Sequence, residues 1–170
     1  SAGTLHPIPL INEVKKIFNK TIVLSGCLSN GNDIASALQM GADIAYMGTR
    51  FINVKESQAE QNYKDMIMRS GAEDIVYTAA VSGVNASFLR PSLEAMGITE
   101  EQWKDTKKID FGNTSDLAES EAKAWKTIWS AGQGVSSITD SPKVTDLVLQ
   151  LKSEFIEAVE SQKKLLDLYS

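Results

Sequence analysis

Two short apolar runs, each closed by a glycine turn, frame the arrangement of the rest of the chain. Thr21-Ile22-Val23-Leu24 is a β-branched run that stops just ahead of Gly26, and Ala42 to Met47 is a second, closed by Gly48-Thr49. Apolar runs of this length without polar alternation mark buried strands. Between them Asn30-Gly31-Asn32-Asp33 supplies turn and N-cap chemistry. Ile34, Ala35, Ala37, Leu38 and Met40 follow on a helical stretch, and Gly41 stops it. Two buried strands joined by one helix make a parallel βαβ unit. Both glycine turns then fall at the same, C-terminal edge of the sheet.

The flanking pattern predicts further helices. Pro9 to Phe18 reads as an amphipathic helix with Leu10, Val14, Ile17 and Phe18 on one face. Ser57-Gln58-Ala59-Glu60 has the spacing of a capping box, opening a helix through Tyr63, Met66, Ile67 and Met68 to Gly71. Ile75-Val76-Tyr77-Thr78 is a short β-branched run, either a further strand or an extended loop. The stretch Val81 to Ala86 is small and polar enough for a loop over a ligand, and Pro91 can open a short helix, Ser92 to Met96. Thr99-Glu100-Glu101-Gln102 starts another helix. A long one is expected over Asp116 to Trp129, broken by Ser130-Ala131-Gly132-Gln133-Gly134. Asp140-Ser141-Pro142 should open the last helix, with Leu147, Val148, Leu151, Phe155 and Val159 as its apolar stripe.

Composition narrows the classes of partner. The 170 residues carry a net charge of −5 and no clustered Lys or Arg, which argues against nucleic acid and anionic membranes. No apolar run approaches the roughly 18 residues needed to span a bilayer, and no signal peptide is visible. Cys27 is the single cysteine, which fits a reducing compartment. These features together lead to the expectation of a soluble, cytoplasmic protein. No Cys/His spacing suited to a metal is present.

The candidate chemistry lies in the two turns. A glycine lets backbone come close to a ligand, and N–H groups opening a helix face an anion. Turns on adjacent parallel strands could grip one phosphate from both sides, at the edge where α/β folds bind ligands. They could equally be tight turns and nothing more. A thiol nucleophile at Cys27 is a further reading, since helix N-termini lower thiol pKa, but no His adjoins it to act as base. His6 is the only histidine, the residue type most often used as a base. Its place before Pro7 suits a surface loop. Gln133, between two glycines, can turn an amide inward as both donor and acceptor. Arg90 suits either an anion or loop carbonyls.

Several stretches in order resemble the nitronate monooxygenase (2-nitropropane dioxygenase) family. They are Leu24-Ser25-Gly26-Cys27, Asn30 to Leu38, Gly41-Ala42-Asp43, Tyr46-Met47-Gly48-Thr49-Arg50-Phe51-Ile52 and Lys55-Glu56-Ser57. Tyr63-Lys64, Asp74-Ile75-Val76, Asn85 to Leu93 and Trp129 to Val135 continue the likeness, so that it covers most of the chain. The resemblance implies an α/β fold: the C-terminal half of a (β/α)8 barrel that binds FMN, with parallel strands and several added helices. A full barrel usually needs about 250 residues, so residues 1–170 are expected to be a single partial domain, truncated at its N-terminus. The missing strands would come from that N-terminal half or from another copy of the chain.

The resemblance further implies Gly26, Cys27, Met47, Gly48, Thr49 and Gln133 as FMN-binding residues and an alkyl nitronate oxidised with dioxygen. Where this chain has Cys27 the family commonly has a second glycine, so Cys is strained if the turn needs positive φ. The family's catalytic His would fall at or before Ser1. No catalytic residue is assigned, and the isolated segment is expected to lack normal turnover. Two alternatives stand beside this reading: an FMN-dependent enoyl-acyl-carrier-protein reductase, which shares the phosphate turns, and a non-catalytic fragment that self-associates through its sheet edges.

Overall fold

The computed structural model describes residues 3–105, 109 and 127–169. Helix α1 (Pro7–Ile17) leads into strand β1 (Val23–Ser25), helix α2 (Gly31–Met40) and strand β2 (Ile44–Tyr46). Next come the short helix α3 (Thr49–Ile52), helix α4 (Gln61–Arg69) and a hairpin of β3 (Ile75–Thr78) and β4 (Ala86–Leu89). Helices α5 (Arg90–Ala95) and α6 (Glu100–Lys104) follow. A 3₁₀ turn at Gln133–Ser137 precedes the final helix α7 (Val144–Tyr169). The long helix expected over Asp116 to Trp129 lies almost wholly outside the described residues.

The βαβ unit forms as its sequence dictates. Strands β1 and β2 are parallel, with Val23 opposite Ile44, Leu24 opposite Ala45 and Ser25 opposite Tyr46. Asp43 locks that register, its carboxylate accepting from Ile22 N at 2.8 Å while its own amide donates to Ile22 O at 2.8 Å. Asn30 caps α2: its Oδ1 accepts from Asp33 N at 2.9 Å, and Asp33 Oδ2 accepts from Asn30 N at 3.1 Å and Ser29 N at 2.7 Å. Gly41 ends the helix at φ +103, a left-handed conformation that glycine adopts without cost.

Leu24 buries against Ile11, Ala37 and Ala42 on the α2 side of the sheet. Val23, Ile44 and Tyr46 on the other face are exposed. In a complete barrel that face is turned inward.

Helix α7 packs along α2. Leu147 and Leu151 pack with Val54, and Met47, Phe51 and Ile34 close around them. Helices α2 and α7 cross at Gly31, whose amide donates to Glu154 Oε2 at 2.7 Å. A Cβ there would stand 2.5 Å from the Leu151 carbonyl oxygen and against the backbone of Phe155. Only the bare glycine lets the helices meet this closely.

Several expectations need correction. Ile75 to Thr78, read as a further strand or an extended loop, is strand β3, and it pairs antiparallel with β4 apart from the parallel unit, Ile75 facing Leu89 and Thr78 facing Ala86. Strand β4 escaped notice because Ser87, Phe88 and Leu89 are all buried, which erases the alternation that marks a half-buried strand. Ala86, expected in a loop, is its first residue.

In α1 the buried residue is Ile11, at 2% exposure, whereas Ile17 is 89% exposed and Leu10 and Phe18 are also exposed. The helical period allows either stripe, and docking on Leu24 and Ala37 selects the Ile11 side.

Helix α4 starts at Gln61, not after Ser57. The Ser57 hydroxyl instead accepts from Ala59 N at 3.2 Å within a turn. Buried Lys64 reaches back to that turn, donating to the carbonyls of Val54 and Ser57 at 2.8 Å each.

Helix α7 begins at Val144. Glu56 meets the Val144 amide at 3.0 Å, while Asp140 is taken by Arg50 at 2.7 Å. Arg90 pairs with the Asp74 carboxylate rather than with loop carbonyls. Among the described residues no helix is long and apolar enough to cross a membrane.

The Gly31 crossing gives a direct test. Gly31→Ala should force α2 and α7 apart and destabilise the protein by about 1–3 kcal/mol, the range for overpacked sites. The readout is a lower urea midpoint at unchanged m value.

Candidate functional site

Three loops converge at the C-terminal edge of the β1–β2 sheet. The turn after β1 brings Gly26, Cys27 and Ser29. The turn after β2 brings Gly48 and Thr49, and the segment after the isolated bridge from Ser130 to Phe88 brings Gly132, Gln133 and Gly134. The third loop is carried by β4 and α4: Leu89 N donates to Trp129 O at 2.8 Å, and the Tyr63 hydroxyl donates to Ser130 O. Tyr63 also stacks on Trp129, ring centroids 5.0 Å apart. Fully buried Val135 then roots the 3₁₀ turn in the core.

Backbone conformation shapes the first turn. Gly26 has φ +94 and Cys27 φ +63, the latter being the one non-glycine residue with positive φ among those described. The strain expected of a cysteine in such a turn is therefore present. Successive amides in a turn of this kind form a concave, anion-binding surface.

Glycine-only contacts bring the third loop down onto it. A Cβ on Gly134 would stand 2.6 Å from Cys27 O and 2.5 Å from Ser29 Oγ. The Ser29 hydroxyl, buried here, donates to Gly134 O at 2.8 Å. Gly132 N donates to Thr49 Oγ1 at 3.0 Å, which leaves the Thr49 hydroxyl proton to be donated elsewhere. A Cβ on Gly48, by contrast, meets nothing within 4 Å.

These loops enclose a cavity of about 90 Å³ lined by Gly26, Cys27, Ser29, Gly48, Thr49 and Gly132, among others. It adjoins a larger cavity of about 730 Å³ that Gln133, Tyr77, Ser87 and His6 help to line. Ser25, Gly26, Cys27 and Gly134 face both. The first is far below the roughly 300–1,000 Å³ of a pocket for a whole small molecule, and the second falls within it. Among the described residues, neither lining contains a Lys, Arg, Asp or Glu. The small cavity is thus a neutral cradle of backbone amides and hydroxyls.

Gly26, Cys27, Gly48 and Thr49 therefore come together as the spacing implied. Gln133 sits in the neighbouring, larger cavity. The Met47 side chain packs toward Leu147 and Leu151, leaving only its backbone beside the turn. The N-terminus of α2, a natural anion site on sequence grounds, is already supplied by Asn30, Asp33 and Glu154. Cys27 faces the Gln133 amide, Sγ to Oε1 3.8 Å, and an amide is no base for a thiol. His6 caps α1, its Nδ1 accepting from Ile8 N at 3.4 Å.

Ser29, Gly132 and Gly134 were not singled out as site residues. The Gly-Gln-Gly pattern was the available signal for the last two. Ser29 gave none, since its role depends on contact with residues more than a hundred positions away.

The family model for nitronate monooxygenase matches residues 2–154. A nitronate monooxygenase of Paraburkholderia phytofirmans is 27% identical over 149 residues, covering 84% of this chain and 40% of that protein. The nitronate monooxygenase npaC of Metarhizium robertsii is 25% identical over 131 residues, with 75% and 37% covered. FabK from Thermotoga maritima superposes with a TM-score of 0.74 at 26% identity, over 96% of this chain and 53% of that one. A nitroalkane oxidase from Streptomyces ansochromogenes gives 0.68 at 27%, over 93% and 46%. The chain spans about two fifths of these two curated relatives and about half of these solved chains. Its α/β fold is that of a partial (β/α)8 barrel.

Two outcomes follow from this geometry. Cys27→Gly relieves the left-handed strain and should stabilise the protein by about 0.5–1 kcal/mol net of the added chain entropy. Cys27→Val should destabilise it, both read by urea unfolding. Burial pushes the Tyr63 phenol up to about 12. An acid whose folded pKa exceeds its unfolded value of about 10 stabilises fully below that pH. Stability should therefore fall as pH rises from 10 toward 12, and tyrosinate absorbance should show Tyr63 ionising after freely exposed tyrosines.

Proposed function

Because the chain belongs to the nitronate monooxygenase family, we propose that it supplies the FMN-phosphate site of an oxidoreductase acting on small alkyl nitronates. The convergence of two turns and the Gly132 loop on a neutral cradle of about 90 Å³ carries this reading. A phosphate suits that cradle in size and chemistry. The amides of Gly48 and Thr49 open α3 and have no carbonyl ahead of them in the helix. Gly26 and Cys27 line the same space with left-handed backbone, and the Thr49 hydroxyl retains a proton to donate. The space in front of Gly48 needs no rearrangement to admit an oxygen.

When bound, FMN would supply the acceptor for an electron from the nitronate, which dioxygen can reoxidise. The chain's own residues bind and orient. The cradle fixes one end of the cofactor, and the larger cavity, with Gln133 on its wall, accommodates a flat body beside it. His6 lines that cavity too, its Nδ1 accepting from Ile8 N.

An FMN-dependent enoyl-acyl-carrier-protein reductase would use the same cradle, so turnover of nitronate against an enoyl thioester separates those chemistries. The uncovered face of β1 and β2 favours a second reading, a self-associating chain without chemistry. That reading expects a colourless protein of concentration-dependent mass.

The test is FMN binding. Purified protein should take up about one FMN per chain, with riboflavin much weaker because it lacks the phosphate. Thr49→Val should lower FMN affinity roughly tenfold, from loss of one hydrogen bond to a charged group. Gly48→Val should abolish binding without unfolding the protein. Since no charged side chain among the described residues lines the cradle, affinity should change little with added salt. No uptake of FMN by folded protein would refute the assignment.

A further inference from the structure

Cys27 carries a side chain where the backbone least favours one. Its φ of +63 belongs to the left-handed region in which a Cβ is disfavoured. A strained residue inside a candidate site raises the question of what its side chain does there.

The neighbours of Gln133 narrow the answer. Its backbone is tied down on both sides, by Gly132 N to Thr49 Oγ1 at 3.0 Å and by Ser29 Oγ to Gly134 O at 2.8 Å. Those bonds hold the main chain and leave the terminal amide torsion, which is intrinsically broad, undetermined. The Cys27 thiol stands 3.8 Å from Gln133 Oε1. A thiol is a weak donor, sufficient to choose between two amide orientations and too weak to hold the loop. With Oε1 engaged, the Nε2 hydrogens remain for the larger cavity that both residues line.

We propose that Cys27 is a positioning residue: its thiol orients the Gln133 amide so that the larger cavity presents N–H donors. The wall then selects flat ligands with acceptor atoms on their edge. One residue thereby serves both compartments, its amide in the phosphate cradle and its thiol through Gln133 in the neighbouring cavity. The choice of ligand rests on the flavin reading above; the orientation of the amide does not.

Two measurements test this. In ¹⁵N-labelled protein without ligand, the Gln133 side-chain nitrogen should be rigid by heteronuclear NOE in wild type and in Cys27→Ser. It should become mobile in Cys27→Ala, which keeps the Cβ and its backbone strain but lacks the donor. Equal rigidity in wild type and Cys27→Ala overturns the proposal.

Binding of FMN, riboflavin and inorganic phosphate supplies the second readout. Cys27→Ala should weaken FMN and riboflavin alike, roughly threefold to tenfold, and leave phosphate unchanged, with Cys27→Ser restoring affinity. In a Gln133→Leu background the effect of Cys27→Ala should vanish. A loss that persists there, or one confined to phosphate, also overturns the proposal. Absence of flavin binding by wild type would refute the flavin reading, while the Gln133 signals still decide the orientation.

Discussion

Gly134 approaches the turn after β1 so closely that any side chain on it would collide with the Cys27 carbonyl and the Ser29 hydroxyl. The candidate site depends on that contact. It lets the loop after β4 descend onto the sheet edge, where Ser29 and Thr49 can each meet its backbone. Without it the two turns would be a shallow groove open on one side. With it they become a small enclosed space whose walls belong to three distant parts of the chain. The same device recurs at Gly31, where the absent Cβ lets α7 lie on α2.

Electrostatics explains why the cradle lies in the turns and not at the N-terminus of α2. The positive end of that helix is already occupied by Asp33 and by Glu154 from α7. Arg50, the cation nearest the cradle in sequence, is buried and paired with Asp140. Among the described residues, an anion entering the candidate site would therefore meet dipoles rather than formal charge. Dipoles in a fixed backbone need little reorganisation and respond weakly to salt.

Much of this was legible in the residues. Asn30, Asp33 and Gly41 announce a capped helix because their cap chemistry is local. Leu24 and the Ala42 to Met47 run announce strands because both are apolar and short. The cradle residues Gly26, Cys27, Gly48 and Thr49 fall in that same continuous stretch, while the family resemblance runs on from it through most of the chain. Strand β4 was not legible, because burial on all sides removes the period that identifies a strand. The Ile11 face of α1 was hidden for a related reason: periodicity limits the choice of stripe, and only the docking partner selects one.

By itself, then, the chain's sequence determined the capped helix and the two strands of the first parallel unit, where that unit turns, and which family it resembles. Each of these follows from interactions between residues a few positions apart. Tertiary structure alone decided that α2's free end is neutralised by Glu154, that Met47 turns toward α7, and that Ser29, Gly132 and Gly134 complete the cradle. Those outcomes depend on contacts between residues about a hundred positions apart, for which local spacing carries no signal. Cys27 shows the division in one residue. Its departure from glycine is written in the sequence, but the sign of its φ and its contact with Gln133 exist only once the loops have met.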